Sequence, residues 1–261
     1  MADVGRFAGR DGAELAYVEL GQGRPLVLLH GFTASGRQWL DHGPAAALAG
    51  RDFRVIVPDL RGHGDSVRSH DRACYPPDVL ADDGLALIEG LGLEDYDLGG
   101  YSLGGRIALR MMVRGARPGR AVVAGQGLSA VTSAGDGGLY RRVLTALVNG
   151  DPIEPGSGDA EAAYWIGQLG GDPRALLLVQ DSLVATSVGE LGQVDVSTLV
   201  VVGDEDHDHA SARELAAVLP PARFSLVPGD HWTALGAPEL ATALIAFLTA
   251  QPAAWPASPA P

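Results

Sequence analysis

The chain of 261 residues contains no lysine and only one cysteine. Its 19 basic residues are all arginine and its 32 acidic residues outnumber them, which gives a formal net charge of −13 at pH 7. An acidic chain without a basic run repels phosphate backbones, so we expect no nucleic-acid partner. The single cysteine, Cys74, excludes an internal disulfide and fits a reducing compartment, so we expect a cytoplasmic protein.

Long hydrophobic runs are also missing. No apolar stretch approaches the roughly 20 residues that a membrane-spanning helix needs, so we expect no membrane partner. The first twelve residues, MADVGRFAGRDG, are polar and interrupted by glycine, unlike a secretory signal. The hydrophobic content of 46% is sufficient for a sizeable core, and we expect one domain over residues 1–250. Residues 251–261 are rich in proline and alanine, which predicts a disordered tail.

Short apolar runs alternate with longer amphipathic stretches, a pattern typical of parallel strands joined by crossover helices. The predicted strands cover residues 15–20, 25–30, 53–60, 96–100, 120–125, 197–204 and 223–229. A tight turn that contains glycine joins the first two, which are predicted to be antiparallel. The strand pattern stops between residues 126 and 196, and a segment of this length is too long for a simple loop. We therefore predict a small helical cap there, over the carboxyl edge of the sheet.

The stretch DLGGYSLGGR, residues 97–106, places one serine among four glycines between an apolar run and a helical pattern. A Walker phosphate loop needs a lysine, which the chain lacks, and these glycines do not match the dinucleotide spacing G-x-G-x-x-G. The remaining interpretation is a sharp strand-to-helix turn that presents Ser102 as a nucleophile. Gly100 and Gly104 would let the two backbones approach, and the helix N-terminus would favour a developing anion.

A serine hydroxyl needs a base, and the base needs a carboxylate that orients it. His231 comes just after the last predicted strand, and Asp206 comes just after the strand before it. The carboxyl ends of parallel strands meet at one edge of a sheet, so both side chains are expected near Ser102. Asp204 and Asp208 remain alternatives to Asp206 as the acid.

Four motifs, in order, resemble those of α/β-hydrolase-fold proteins of the serine esterase and lyase type. They are HGFTASGRQW (30–39), PDLRGHGDS (58–66), GYSLGGR (100–106) and the pair GDED and GDHW (203–206 and 229–232). The resemblance extends from about residue 15 to residue 248. It implies a mostly parallel central sheet flanked by helices, with the small helical cap inserted after the sixth strand. It also implies an oxyanion hole made by the backbone N–H groups of Phe32 and Leu103, and it favours Asp206 as the acid.

The same resemblance implies a carboxylesterase-like enzyme. It would cleave a small ester, lactone or thioester through an acyl-enzyme on Ser102, without a cofactor, as a monomer or homodimer. The stretch DEDHDH (204–209) has spacing that could hold a metal, but nothing else completes a ligand set, so we predict no metal. Serine at position 102, where dehalogenases and epoxide hydrolases of this fold carry a carboxylate, argues against both activities.

Three alternative functions stay open. The turn also resembles that of the menaquinone-pathway synthase that eliminates pyruvate, which would make the protein a lyase, and C–C hydrolases are a further variant. A cofactor-free perhydrolase or haloperoxidase, and a small-molecule receptor without catalytic activity, are compatible with the same residues. Arg106 matches an arginine of the synthase, whose polycarboxylate substrate would need more arginines from the cap, such as Arg141, Arg142 and Arg174.

Six residues are predicted to contact the substrate. They are Tyr101, Arg106, Tyr140, Tyr164, Trp165 and Trp232. Tyr101 has a second interpretation, in which it packs beneath the turn. Two further histidines are expected to be structural, with His30 shaping the oxyanion loop and His63 lying in a turn.

Overall fold

The computed structural model describes residues 4–134 and 138–250, and the predicted tail lies outside them. Eight strands within these ranges form one sheet, in the order β1-β2-β4-β3-β5-β6-β7-β8. The strands are β1 (Val4–Ala8), β2 (Glu14–Leu20), β3 (Arg24–Leu29), β4 (Phe53–Pro58), β5 (Asp97–Tyr101), β6 (Ala121–Ala124), β7 (Thr198–Gly203) and β8 (Ala222–Val227). The pairs β1–β2 and β2–β4 are antiparallel, and every other neighbouring pair is parallel.

Helices cover both faces of this sheet. The described helices are α1 (Ala45–Ala49), α2 (Val79–Gly90), α3 (Leu103–Val113), α4 (Leu128–Thr132), α5 (Leu139–Asn149), α6 (Gly158–Gln168), α7 (Pro173–Ser182), α8 (Val188–Leu191), α9 (Ala212–Val218) and α10 (Pro238–Thr249). Helices α2, α3 and α9 pack on one face, and α1 and α10 pack on the other. Because both faces are covered, strands such as β3 are apolar along most of their length instead of alternating with polar residues.

Alternate residues of each central strand enter two different cores. In β3, Val27 and Leu29 belong to the core under α2 and α3, whereas Leu26 and Leu28 belong to the core under α1 and α10. This follows from the period of two in a strand, which directs successive side chains to opposite faces. The sheet is thereby held from both sides, so the turns at its carboxyl edge have a rigid base.

The structure corrects the sequence prediction at the start of the chain. Strand β1 was not predicted, and its residues alternate between exposed and half-buried without a fully buried side chain. Gly5 pairs with Tyr17 of β2, and a Cβ on Gly5 would lie 2.3 Å from the Tyr17 ring. The two strands predicted next to each other, β2 and β3, are not neighbours in the sheet, because β4 lies between them.

The segment from residue 126 to residue 196, called the inserted segment below, connects β6 to β7 and contains α4 to α8. Five buried apolar residues form a cluster of its own, namely Val143, Leu144, Ala162, Ile166 and Leu176. Polar contacts join the segment to the loop that follows β4: His70 lies 2.8 Å from Asp172 and Arg72 lies 3.1 Å from Asp181. Asp172 also caps α7 by accepting from the amide N–H of Ala175.

No helix in the described part of the chain is both long enough and apolar enough to cross a membrane.

Candidate active site

Ser102 occupies the sharp turn between β5 and α3. Its backbone angles, φ 54° and ψ −118°, lie in a region that residues other than glycine rarely adopt. A Cβ on Gly100 would lie 2.1 Å from the carbonyl carbon of Gly104, and a Cβ on Gly104 would lie 2.1 Å from the carbonyl oxygen of Leu29. Both positions therefore require glycine, and the turn places Ser102 at the N-terminus of α3.

Ser102, His231 and Asp206 form one hydrogen-bonded chain. The Nε2 atom of His231 lies 3.0 Å from Oγ of Ser102, and its Nδ1 atom lies 2.8 Å from Oδ2 of Asp206. An ionised carboxylate only accepts hydrogen bonds, so Nδ1 carries the ring proton and Nε2 is free to accept from the serine. This is the geometry of a nucleophile, a base and the carboxylate that orients the base.

Asp206 lies fully buried at the end of β7 and is held as a carboxylate. Burial by itself raises the pKa of this carboxyl group, but hydrogen bonds from His209 and His231 outweigh it and hold the pKa well below its usual range. The other two acids considered lie elsewhere: Asp204 accepts from the amide N–H of Gly229 at 2.9 Å, and Asp208 is exposed. Of the three, Asp206 is the one that contacts His231.

Three aromatic rings border the ring of His231, and the one farthest from it is that of Trp232, at 5.9 Å. The ring of His209 stacks on that of His231 with centroids 4.5 Å apart, and the ring of Tyr101 lies 5.4 Å away. Tyr101 is 3% exposed and its hydroxyl donates to the backbone carbonyl of His231 at 2.7 Å. The structure therefore places Tyr101 beneath the turn, as in the second interpretation of this residue, rather than at a surface open to substrate.

A loop after β3 lies against Ser102. A Cβ on Gly31 would be 3.5 Å from Cβ of Ser102, so the backbone of this loop passes directly beside the serine. His30 is fully buried and holds the loop from both ring nitrogens: Nδ1 donates to the carbonyl of Gly31 at 2.8 Å, and Nε2 accepts from the amide N–H of Leu60 at 2.9 Å. The structure thus gives His30 the shaping position that the sequence predicts.

The two predicted oxyanion donors sit on this loop and on α3. Among the residues that the structure describes, neither the amide of Phe32 nor that of Leu103 donates to a protein acceptor. Leu103 is the first residue of α3, where the helix dipole adds positive charge. Phe32 is fixed by aromatic contacts, because its ring lies 5.3 Å from that of Tyr140 and 5.9 Å from that of His63.

The structure corrects the prediction that Arg106 contacts the substrate. Arg106 is 6% exposed, and its guanidinium donates to the backbone carbonyls of Ala130, at 2.9 Å, of Ser133 and of Val184, at 3.1 Å. Burial lowers the pKa of this group to about 10, with a smaller effect from the positive charge of Arg110. Arg106 therefore joins α3 to the backbone of the inserted segment and does not face a ligand.

The other residues predicted to contact the substrate differ in how far they are exposed to solvent. Tyr140, on α5, is half-buried, and its ring contacts that of Phe32 in the loop that follows β3. Tyr164 and Trp165 are more than half exposed on α6, and their rings contact each other at 5.3 Å. Trp232 is 61% exposed beside His231. Of the aromatic residues predicted in the cap, Tyr140 is the one that contacts the loop beside Ser102.

Asp206, His209 and His231 are the group in the described residues whose potential ligand atoms fall within 4.8 Å of one another. In the structure, Nδ1 of each of the two histidines lies within hydrogen-bond distance of the carboxylate. Sequence reasoning assigned no role to His209. Its position could have indicated a role, because His209 follows Asp206 by three residues in a short turn. In such a turn, the side chain and the backbone N–H of one residue can both bond to the same carboxylate.

Comparison with known proteins identifies relatives that share this fold. A family profile described as the alpha/beta hydrolase fold matches residues 24–124. A non-heme chloroperoxidase of Kitasatospora aureofaciens is 32% identical over 249 residues, which cover 85% of this chain and 89% of that protein. An acetyltransferase component of an acetoin-cleaving system from Pseudomonas putida is 29% identical, over 84% of this chain and 58% of its own length. A solved thermophilic esterase from Thermogutta terrifontis superimposes with a TM-score of 0.73 at 25% identity, covering 95% of this chain and 98% of that one.

Proposed function

The chain belongs to the α/β-hydrolase fold family, and on that premise we propose that it is a serine hydrolase with Ser102 as its nucleophile. Its substrate would be a small carboxylic ester, lactone or thioester. The single observation that carries this proposal is the hydrogen-bonded chain from Ser102 through His231 to Asp206, with distances of 3.0 and 2.8 Å. The sheet topology agrees with the mostly parallel sheet that the sequence predicts.

The first half of the reaction forms an acyl-enzyme. Nε2 of His231 takes the proton of Ser102 as the serine oxygen attacks the substrate carbonyl, and the carbonyl oxygen becomes an oxyanion. The amides of Phe32 and Leu103 donate to that oxyanion, and losing one such donor typically costs about 10²–10³ in rate. His231 then gives the proton to the departing alcohol or thiol, and the acyl group stays on Ser102.

The second half releases the acid. His231 takes a proton from a water molecule, the water oxygen attacks the acyl carbon, and the carboxylic acid leaves as Ser102 recovers its proton. Asp206 stays ionised throughout and stabilises the imidazolium that forms in each half. The hydrogen bonds from His209 and His231 support this role, because they outweigh the effect of burial and hold the carboxylate in the charged state.

We propose that the inserted segment acts as a cap that shapes the acyl or alcohol pocket. Tyr140 supports this, since its ring connects α5 to Phe32 of the oxyanion loop. The contacts of three of the four arginines proposed for a polycarboxylate substrate argue against the lyase alternative. Arg141 is paired with Asp181 and Arg142 with Asp159, and Arg106 is engaged by backbone carbonyls.

Perhydrolysis is the second candidate, because a relative that is 32% identical over 85% of the chain is a chloroperoxidase. The same acyl-enzyme would be attacked by hydrogen peroxide instead of water and would release a peracid. A halogenation assay with acetate, peroxide and bromide tests this route. Halogenation that depends on Ser102 at rates above ester hydrolysis would replace the esterase proposal.

The esterase proposal is tested by labelling with a fluorophosphonate and by a panel of p-nitrophenyl esters of increasing acyl length. We expect labelling and turnover in the wild type and neither in Ser102→Ala, with turnover strongly reduced in His231→Ala. A matched control is His207→Ala, an exposed histidine on the neighbouring loop, which should behave as the wild type. Labelling of Ser102→Ala at the wild-type level, or full turnover by His231→Ala, would contradict the proposal.

A further inference from the structure

His209 is the residue beside the site for which the mechanism above has no use. It ends a short turn, His207–His209, and its side chain is 12% exposed. Its Nδ1 atom lies 3.1 Å from Oδ1 of Asp206, and its backbone N–H donates to the same oxygen at 3.2 Å. Because the carboxylate only accepts, Nδ1 of His209 carries a proton.

Both oxygens of Asp206 are therefore occupied. Oδ2 accepts from His231 at 2.8 Å, and Oδ1 accepts from the side chain and backbone of His209. Two donors on opposite oxygens fix the rotation of a carboxylate about its Cβ–Cγ bond, which a single donor cannot do. The orientation of Asp206 in turn fixes the ring of His231.

His209 also contacts His231 directly. The two rings are stacked at 4.5 Å with an interplanar angle of 20°. A stacked ring blocks one face of the imidazole and opposes rotation that would carry Nε2 away from Ser102. Contact with both the acid and the base distinguishes His209 from Tyr101, which approaches His231 by its ring and by a backbone hydrogen bond.

We propose that His209 is a positioning residue, which clamps the second oxygen of Asp206 and covers one face of His231 so that Nε2 stays directed at Ser102. This inference rests on the proposed function, because the alignment affects a rate only if Ser102 and His231 react. It predicts a contribution to kcat rather than to KM, since no atom of His209 needs to touch the substrate.

Because Asp206 accepts hydrogen bonds from both His209 and His231, its negative charge interacts with both rings. The titratable and charged groups that surround His231 are Asp206, His209, Tyr101 and, next along the chain, Asp230. Removing the side-chain donor of His209 leaves Oδ1 with the backbone N–H of residue 209 alone, so more of the carboxylate charge stabilises the imidazolium of His231. The acid limb of the kcat/KM profile should then move to higher pH.

Two substitutions separate the two contacts. His209→Asn places an amide nitrogen near the position of Nδ1 and keeps the hydrogen bond, but it loses the stacked ring. His209→Phe keeps a ring and the backbone N–H but loses the side-chain donor. We expect kcat to fall about ten- to a hundredfold in His209→Phe with KM nearly unchanged, as is typical of a misaligned catalytic group. Its acid limb should move to higher pH, whereas the limb of His209→Asn should stay at the wild-type position. His207→Asn, on the same loop, is the control.

Two readouts do not depend on the identity of the substrate. In the Ser102→Ala background, proton NMR should show two resonances far downfield, one from each Nδ1–H bonded to Asp206, and His209→Phe should remove one of them. The rate of fluorophosphonate labelling of Ser102 should fall in parallel with kcat. If His209→Phe does not fold, the positioning role is tested with His209→Asn and with the NMR spectrum of the Ser102→Ala protein.

The outcomes separate this inference from the function that it rests on. If no ester is hydrolysed but fluorophosphonate labelling slows in His209→Phe, the ester proposal fails and the positioning role stands. If a folded His209→Phe protein keeps wild-type kcat, labelling rate and pH profile, the positioning role is wrong whichever substrate the enzyme uses. A spectrum of the Ser102→Ala protein with a single downfield resonance would also overturn it.

Discussion

Lowering the pH from 7 to 5 should destabilise the fold through two buried histidines near the loop that follows β3. Burial lowers the pKa of His30 from 6.5 to about 4, and it lowers the pKa of His63 from 6.5 to about 3. The contacts explain the resistance to protonation. Nε2 of His30 accepts a hydrogen bond from the amide N–H of Leu60, so a proton on Nε2 would place two hydrogen-bond donors opposite each other. Nε2 of His63 has no hydrogen-bond partner in the described residues.

The sign of the effect follows from proton uptake. At pH 5 the folded protein keeps both rings neutral, whereas the unfolded chain binds a proton at each, so stability falls as the pH drops below about 6.5. Each ring should cost about 2 kcal/mol of unfolding free energy between pH 7 and pH 5, or about 4 kcal/mol for the pair. Asp206 does not change the stability between pH 7 and pH 5. Its pKa is lowered in the folded protein, so its contribution to the free energy of unfolding is lost only below its unfolded pKa of 3.8.

Urea denaturation at pH 7 and pH 5 measures this difference. His63→Asn can keep a donor toward the carbonyl of Arg61, which Nδ1 of His63 reaches at 3.0 Å, and it removes the titrating ring. The pH-dependent loss of unfolding free energy should shrink by about 2 kcal/mol in this variant. His42→Asn, at an exposed position, is the control and should leave the difference at the wild-type value. A His63→Asn protein with the wild-type difference would refute the reasoning.

Three further substitutions, one of them with a matched control, test other contacts. Asp206→Asn should reduce kcat by about 10⁴ in a folded protein, because the amide favours the wrong tautomer of the base, and steady-state kinetics with circular dichroism checks this. Gly104→Ala would bring its Cβ to 2.1 Å from the Leu29 carbonyl and should destabilise the protein by about 3 kcal/mol in urea, whereas Gly90→Ala, with open space around it, should stabilise α2 by about 0.5 kcal/mol. Equal effects of the two would contradict the close-packing argument. Arg106→Met should lower the unfolding free energy by about 3 kcal/mol by leaving buried carbonyls unpaired, and an unchanged urea midpoint would oppose that role.

The sequence predicted most of the sheet because its central strands are apolar on both faces and are separated by helical patterns. It missed β1, whose residues carry no fully buried side chain, since an edge strand has little apolar signal. It could not place β4 between β2 and β3, because strand order depends on which edges meet in space. The prediction for Arg106 was wrong for a related reason: a helical arginine is normally solvated, and only the inserted segment, far along the chain, surrounds this one with carbonyls.

The sequence alone determined where the chemistry would be sought. The glycine spacing around Ser102 admits only a tight turn, and the positions of Asp206 and His231 after successive strands place them at the same edge of a parallel sheet. The tertiary structure decided how those groups are held. Tyr101 lies beneath the turn, and His209 shares the carboxylate of Asp206 and stacks on His231. Contacts of this kind depend on distances of a few tenths of an ångström between separate loops, which no local pattern of residues records.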